Sequence, residues 1–421
     1  MTQQEKPSFE LAGWQHAAIF LFACLLVISR RPDAVFQPQF CYEDGRIFFA
    51  DAYDLGGWHA LVHTYAGYFH TVPRIAAALA LLAPMALAPL VTNIIAILVQ
   101  AVPVNLLLSA RSSAWGSLRF RALMAAAYIA LPDSTDIMRG ITWAQWLLAL
   151  CMVLLVVASV PRTWSGRIFD CVFLLLAGLS GPFCILVLPV ATFLAWKRKE
   201  WWRWTQCSVL AACSMTQLWA LLILDPKGRS NAPLGINATV LTRILGGDIF
   251  GGTLLGRVQL AALPGAGGFI FLLCVAVVGV AIVAACFVKS HLQMKLFLVF
   301  ACMVFTASLL NPADRPPAGS AVWEMLLKIP GIRYWFMPSV AYAWALLWSA
   351  RSGTAILKSA ASMLLCMMAF GIAMNWKNPS LEDLHFAEYA KAFEAAPAGT
   401  VMIIPENGPG WTIRLVKRAS R

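Results

Sequence analysis

The sequence predicts an all-α polytopic membrane protein with about eleven transmembrane helices, and three observations predict it. The 421 residues are 60% hydrophobic and 12% charged, with mean hydropathy +0.72, whereas a soluble chain carries about 45–50% apolar and about 25% charged residues. Apolar runs recur at the length that fits a hydrocarbon core about 30 Å thick. The roughly ten-residue alternating segments of a β-barrel are missing, and no internal repeat is visible.

The predicted spans lie near 13–29, 87–109, 119–133, 142–160, 168–179, 182–196, 203–224, 265–288, 294–310, 335–350 and 355–374. The fifth and sixth are short, and read as a hairpin broken at Gly178-Leu179-Ser180-Gly181-Pro182. Such breaks are tolerated where neighbouring helices satisfy the freed backbone. The apolar run after MTQQEKPSFELAGW lacks a small-residue cleavage site and reads as a retained first span. Basic residues of short loops mark the cytoplasmic side: Arg111, Arg119 and Arg121, then Arg162 and Arg167, Lys197 to Lys199 with Arg203, Lys289 and Lys295, and Arg351 with Lys358. The N-terminus is then inside and the C-terminus outside. Three long segments, 30–86, 225–264 and 375–421, fall outside, and so do 16 of the 20 acidic residues. Acids contribute little to orientation and long structured loops are usually functional, so chemistry is expected on the outer face. The chain divides into a transmembrane part, 1–374, and a small outer C-terminal segment, 375–421.

The net charge of +12 sits in short connections, where it serves orientation and contact with anionic lipid, so nucleic acid is not an expected partner. All of the 11 cysteines except Cys41 fall in apolar runs and none forms a C-x-x-C pair, which points to small buried hydrophobes rather than disulfides or zinc. Walker, G-x-G-x-x-G, H-E-x-x-H and G-x-S-x-G motifs are missing, which argues against nucleotide-driven transport by this chain.

The first outer loop, Phe40-Cys41-Tyr42-Glu43-Asp44-Gly45-Arg46-Ile47-Phe48-Phe49-Ala50-Asp51, is the most informative stretch. As a helix it puts 44, 47, 48 and 51 on one face, an amphipathic element for a membrane surface. Glu43 or Asp44 then suits a general base at the boundary, and a solvated acidic loop is the bland reading. Farther on, Thr71 and Pro73 begin an apolar helix over 72–84 whose one cation, Arg74, stands against the helix dipole. Arg74 suits either a phosphate grip or snorkelling to headgroups. Tyr68 and His70 stand beside it; His59, His63 and His70 lack a matched ligand pattern and read as structural. After the third span, Asp133, Asp136, Arg139 and Trp143 suit either an acceptor site or interfacial anchoring with Trp146. Outer-side cations Arg243, Arg257 and Arg333, with Lys227 and Arg229, suit an anionic lipid carrier. In the tail, 381–395 predicts an amphipathic helix, and Val401–Ile404 and Thr412–Val416 predict short strands.

Taken together, the first span, the large acid-bearing first outer loop with Glu43 and Asp44, the short middle helices around Gly178–Pro182 and the small outer C-terminal part resemble the GT-C class of membrane glycosyltransferases. Within it the chain is most similar to bacterial enzymes that use polyprenyl-phosphate sugars to decorate O-antigen, lipopolysaccharide or other envelope glycans. The resemblance implies residence in the inner membrane and inverting sugar transfer on the periplasmic face. It implies a base at Asp44 or Glu43 and donor phosphate binding by Arg74 and Arg333, with Tyr68, His70, Arg243 and Arg257 near the donor and Asp133, Asp136, Arg139 and Trp143 near the acceptor. The loop departs from the class in lacking Asp-x-Asp, so no cofactor is expected and a divalent metal has no motif to hold it. The second reading is a transporter, or a lipid-linked glycan flippase or polymerase. Against transport stands the near-chargeless interior of the spans, where Asn93, Gln100, Asn105 and Gln217 are the main polar residues.

Overall fold

A computed structural model describes residues 11–224, 232–256, 260, 265–314, 316–317, 319–329 and 333–419. Each of the eleven predicted apolar runs falls on a helix. Six are long and apolar enough to cross a membrane: Gly13–Arg30, Met85–Leu108, Trp201–Leu224, Gly267–Lys289, Leu292–Leu310 and Ala355–Met374. The chain is thus a mainly helical membrane protein. The other five, Leu118–Ile129, Ala144–Val157, Trp164–Gly178, Cys184–Arg198 and Phe336–Ser352, hold 12 to 17 residues. At about 1.5 Å per residue such helices reach roughly 18–26 Å, less than the hydrocarbon thickness.

Burial separates the helices by role. Every residue of Ala144–Val157 is buried, and it packs on Ala88–Leu108, Trp164–Gly178 and Cys184–Arg198. An all-round apolar helix belongs in a protein interior or in lipid, and this one lies in the interior. Twelve of the 17 residues of Phe336–Ser352 are buried as well. By contrast Ala355–Met374 buries only Ala361, Leu364, Met368 and Gly371. These residues form one stripe, and Ile356, Met363 and Phe370 are left exposed, as a lipid-facing helix requires.

Loops and short elements gather around one end of this bundle. The loop after the first helix contains a widened π-type turn, Asp44–Phe49, that continues as Ala50–Leu55. The wider turn replaces the regular helix expected over 44–51. It separates the two acids: Asp44 is buried against Thr142, whereas Asp51 pairs with Arg74 at 3.0 Å. A two-residue hairpin, Thr64–Tyr65 with Tyr68–Phe69, follows. The next helix, Thr71–Ala80, is shorter than the expected 72–84. Thr71 does not cap it; its hydroxyl donates to the Leu179 carbonyl at 2.9 Å, and Val72 N–H donates to Ser180 Oγ at 2.9 Å. The predicted break at Gly178–Pro182 is therefore where this loop docks.

The tail forms the helix Phe386–Ala395 and the antiparallel pair Val401–Pro405 and Thr412–Val416. Its Phe386, Phe393, Ile404, Ile413 and Leu415 share one small core with Phe40 and Phe49 of the first loop. Arg30, at the end of the first helix, is fully buried. Its guanidinium donates to the carbonyls of Ile129, Leu131 and Trp376. Replacing Arg30 by Met leaves these acceptors unmet at a cost of about 2–3 kcal/mol. Thermal unfolding in detergent should show a lowered midpoint for Arg30→Met, and an unchanged midpoint would refute this role.

Candidate functional site

The loops enclose a cavity of about 530 Å³. Four segments brought from far apart in the chain line it. The first loop supplies Glu43, Tyr65, Tyr68 and His70; the start of the central helix supplies Thr142, Trp143, Gln145 and Trp146; residues 307–314 and 333–334 supply Asp314, Arg333 and Tyr334; and the tail supplies Trp411. Apolar side chains of Ile185, Leu186, Leu221 and Val304 complete the wall.

Glu43 is half-buried. Its Oε1 accepts from the Tyr65 hydroxyl at 3.3 Å, and its enclosed Oε2 has no partner among the described residues. Burial raises its pKa above the ordinary carboxylate range, opposed by its own backbone N–H and by Arg333. Asp44 does not line the cavity. It is 1% exposed and accepts from Ile141 N–H at 3.1 Å, Thr142 N–H at 2.9 Å and the Thr142 hydroxyl. Burial pushes its pKa up to about 7 against the pull of these donors. Gly140 allows the close approach: a Cβ there would strike Asp44 Oδ2.

Arg333 lines the same cavity from a distant segment of the chain. Its Nη2 donates to Asp314 at 2.8 Å, Asp136 stands 3.7 Å from its Nη1, and the guanidinium stacks over Trp143 at 4.5 Å and Tyr334 at 4.7 Å. The Tyr334 hydroxyl donates to Asp314 at 2.6 Å. Around the floor, Gln145 Nε2 donates to the Tyr68 hydroxyl at 3.3 Å. His70 is buried and its Nε2 donates to the Tyr65 carbonyl at 3.2 Å. Burial first, then Arg74, pushes its pKa down to about 3, so the ring is neutral. Gln217, near the C-terminal end of Trp201–Trp219, joins the Phe69 backbone to the carbonyls of Gly178 and Gly181.

Of the residues singled out from sequence, Glu43, Tyr68, His70, Trp143 and Arg333 meet in this cavity. Asp136 and Arg139 stand just behind it: Asp136 accepts from Arg333 N–H at 3.4 Å, and Arg139 donates to the Tyr42 hydroxyl at 3.3 Å. Arg74 is elsewhere. It is fully buried, tied to Asp51 and stacked over Phe48 at 5.5 Å, with no face toward the cavity lining. Asp133 lies beside Gly252, and Arg243 is exposed; neither lines the cavity. Arg257, Lys227 and Arg229 lie outside the described residues. Among the described residues no group of three His, Cys, Asp or Glu side chains is placed to hold a metal ion. The sequence reading missed Tyr65, Gln145, Asp314, Tyr334 and Trp411. For Tyr65 a signal existed, since Ala66-Gly67 between two tyrosines suits a two-residue hairpin turn, and both turn residues have positive φ.

Compared with known proteins, the chain matches no family model and no curated protein. The arrangement can place a carboxylate and a guanidinium on one small polar ligand while aromatic and aliphatic walls exclude water from it.

A third carboxyl group, Glu406, is 4% exposed beside Asp44 and Glu43. Burial pushes its pKa up to about 9, and the two neighbouring acids add to the rise. The unfolded chain ionises this group near 4.3, while the folded chain keeps its proton until about 9. Stability from Glu406 is therefore fullest in acid and is lost as pH rises through that window. Thermal midpoints in detergent should fall between pH 7 and 9, and Glu406→Gln should flatten that decline; an equal slope in both chains would contradict the assignment.

Proposed function

We propose that this chain is a GT-C-type glycosyltransferase that moves a sugar from a polyprenyl-phosphate donor to an envelope glycan such as O-antigen or lipopolysaccharide. In this reading it crosses a bacterial inner membrane about eleven times, with the N-terminus cytoplasmic and the cavity and 375–421 segment periplasmic. The short helices then cross in the interior of the bundle, where protein replaces lipid around them. The observation that carries the reading is one cavity lined by a carboxylate, Glu43, a guanidinium, Arg333, and the aromatic rings of Trp143, Trp146, Tyr334 and Trp411. Aromatic faces suit the C–H faces of a sugar ring, and Leu186, Leu221 and Val304 suit the first prenyl units.

The chemistry follows from these positions. Glu43 takes the proton of the acceptor hydroxyl. The acceptor oxygen attacks the anomeric carbon from the face opposite the phosphate, and the carbon–oxygen bond to phosphate breaks with its electron pair leaving on the phosphate. Inversion results. Arg333 meets the developing charge, exchanging the Asp314 carboxylate for phosphate oxygens. Burial of Glu43 makes it a stronger base than a solvated carboxylate. Asp44 anchors the turn and does not exchange a proton with substrate. Transport is the second reading: among the polar groups of the spans Asn93 bonds to the Ala34 carbonyl, Asn105 to the His16 carbonyl and Gln217 to the loop backbone, while Gln100 Oε1 and Asn105 Oδ1 are enclosed with no partner among the described residues.

Purified protein given a radiolabelled polyprenyl-phosphate sugar and a glycan acceptor should transfer label. Glu43→Gln should slow turnover by about 10²–10⁴-fold, and Arg333→Ala by about 10²–10³-fold, without loss of folding. Full activity in Glu43→Gln would remove the base, and labelling of residue 43 from the cytosol would remove the whole reading.

A further inference from the structure

Apart from Trp411, the C-terminal hairpin has no task in the mechanism above, yet it reaches the cavity. It brings Trp411 into the wall. It also brings a buried acid, and burying a carboxyl group is costly unless donors meet it. For Glu406 the donors are backbone groups of the first loop: Gly45 N–H at 2.8 Å on Oε1 and Arg46 N–H at 3.0 Å on Oε2. These amides belong to the start of the Asp44–Phe49 turn, whose first N–H groups have no partner within it. The next tail residue grips the other flank, where Tyr42 N–H donates to the Asn407 carbonyl at 3.0 Å.

We infer that Glu406 is a positioning residue, which holds the turn carrying Glu43 at the cavity and seats Trp411 opposite it. Residues 406 and 407 pin positions 42, 45 and 46, and Ile141 with Thr142 pins Asp44 from the other side. Glu43 is left as the one residue of 42–46 whose side chain faces the cavity. Gly45 is required at the contact, because a Cβ there would lie 2.6 Å from Glu406 Oε1. The same residue fixes the wall: Glu406 N–H donates to the Trp411 carbonyl at 3.2 Å, and Trp411 is held by the Tyr42 ring at 5.8 Å and by the Arg46 guanidinium at 5.0 Å. The tail is thereby part of the site. The role assigned to Glu406 rests on the glycosyl-transfer reading of Glu43.

The test combines hydrogen exchange with kinetics on the full chain in detergent. In Glu406→Ala, amide exchange should rise in a peptide covering 43–49 while the Ala144–Val157 helix keeps its protection. Turnover should fall about 10²-fold, the scale of a misplaced catalytic group, with the KM for the polyprenyl-phosphate sugar unchanged. Glu406→Gln, which keeps one acceptor oxygen, should recover part of both. Unchanged exchange at Gly45 and Arg46 in an active variant overturns the inference, as does a raised KM with intact turnover. Should Glu406→Ala lose protection throughout, Glu406→Gln decides by the same criteria. A wild-type chain that transfers no sugar overturns the underlying reading, and the positioning role falls with it whatever the exchange shows.

Discussion

The loop-bearing end of the molecule depends on the carboxylate of Asp44, which is sealed from water and met by three donors from Ile141 and Thr142. A buried acid without such donors would be expelled or protonated at large cost. With them it becomes a fixed joint between the first loop and the head of the central helix. That joint decides where residue 43 points, and it draws residues some hundred positions apart to one wall. The tail then closes the arrangement from the opposite side. The cavity is thus defined by hydrogen bonds between loops, whereas the helices beneath supply a rigid, chargeless floor.

Arginines at this end serve two different purposes, and their surroundings tell them apart. Arg30 spends its guanidinium on backbone carbonyls, Arg31 on Asp33 at 2.6 Å, and Arg74 on Asp51. Arg31 also donates to the carbonyls of Met138 and Arg139, so each of the three joins separate elements, and each is almost wholly enclosed. Arg333 instead keeps contact with the cavity, stacked on two rings and balanced by two acids. A charge at a loop–helix junction is therefore informative only once its partners are known.

That difference explains what the sequence disclosed. Apolar runs revealed the helices, because a bilayer imposes length and hydrophobicity on contiguous residues. The break at Gly178–Pro182 and the two tail strands were legible for the same local reason. Glu43 and Asp44 stood out as neighbours, but adjacency does not say that one is exposed to a cavity and the other locked by Thr142. Arg74 looked available because Asp51, 23 residues earlier, leaves no mark in a linear pattern. Glu406 was passed over entirely: its partners lie 360 and 361 positions away, and nothing in Pro405-Glu406-Asn407 distinguishes it from a surface turn.

The partners of Arg30 carry a consequence for biogenesis. Two of its carbonyl acceptors come from residues 129 and 131 and the third from residue 376. While the ribosome is still making the middle of the chain, the foot of the first helix holds an unsated cation. Its last carbonyl acceptor arrives only after the helix ending at Met374 has been delivered. The first helix packs chiefly on Ala88–Leu108, which is made early, but its junction at Arg30 is complete only once the segment that emerges near the end of synthesis has arrived.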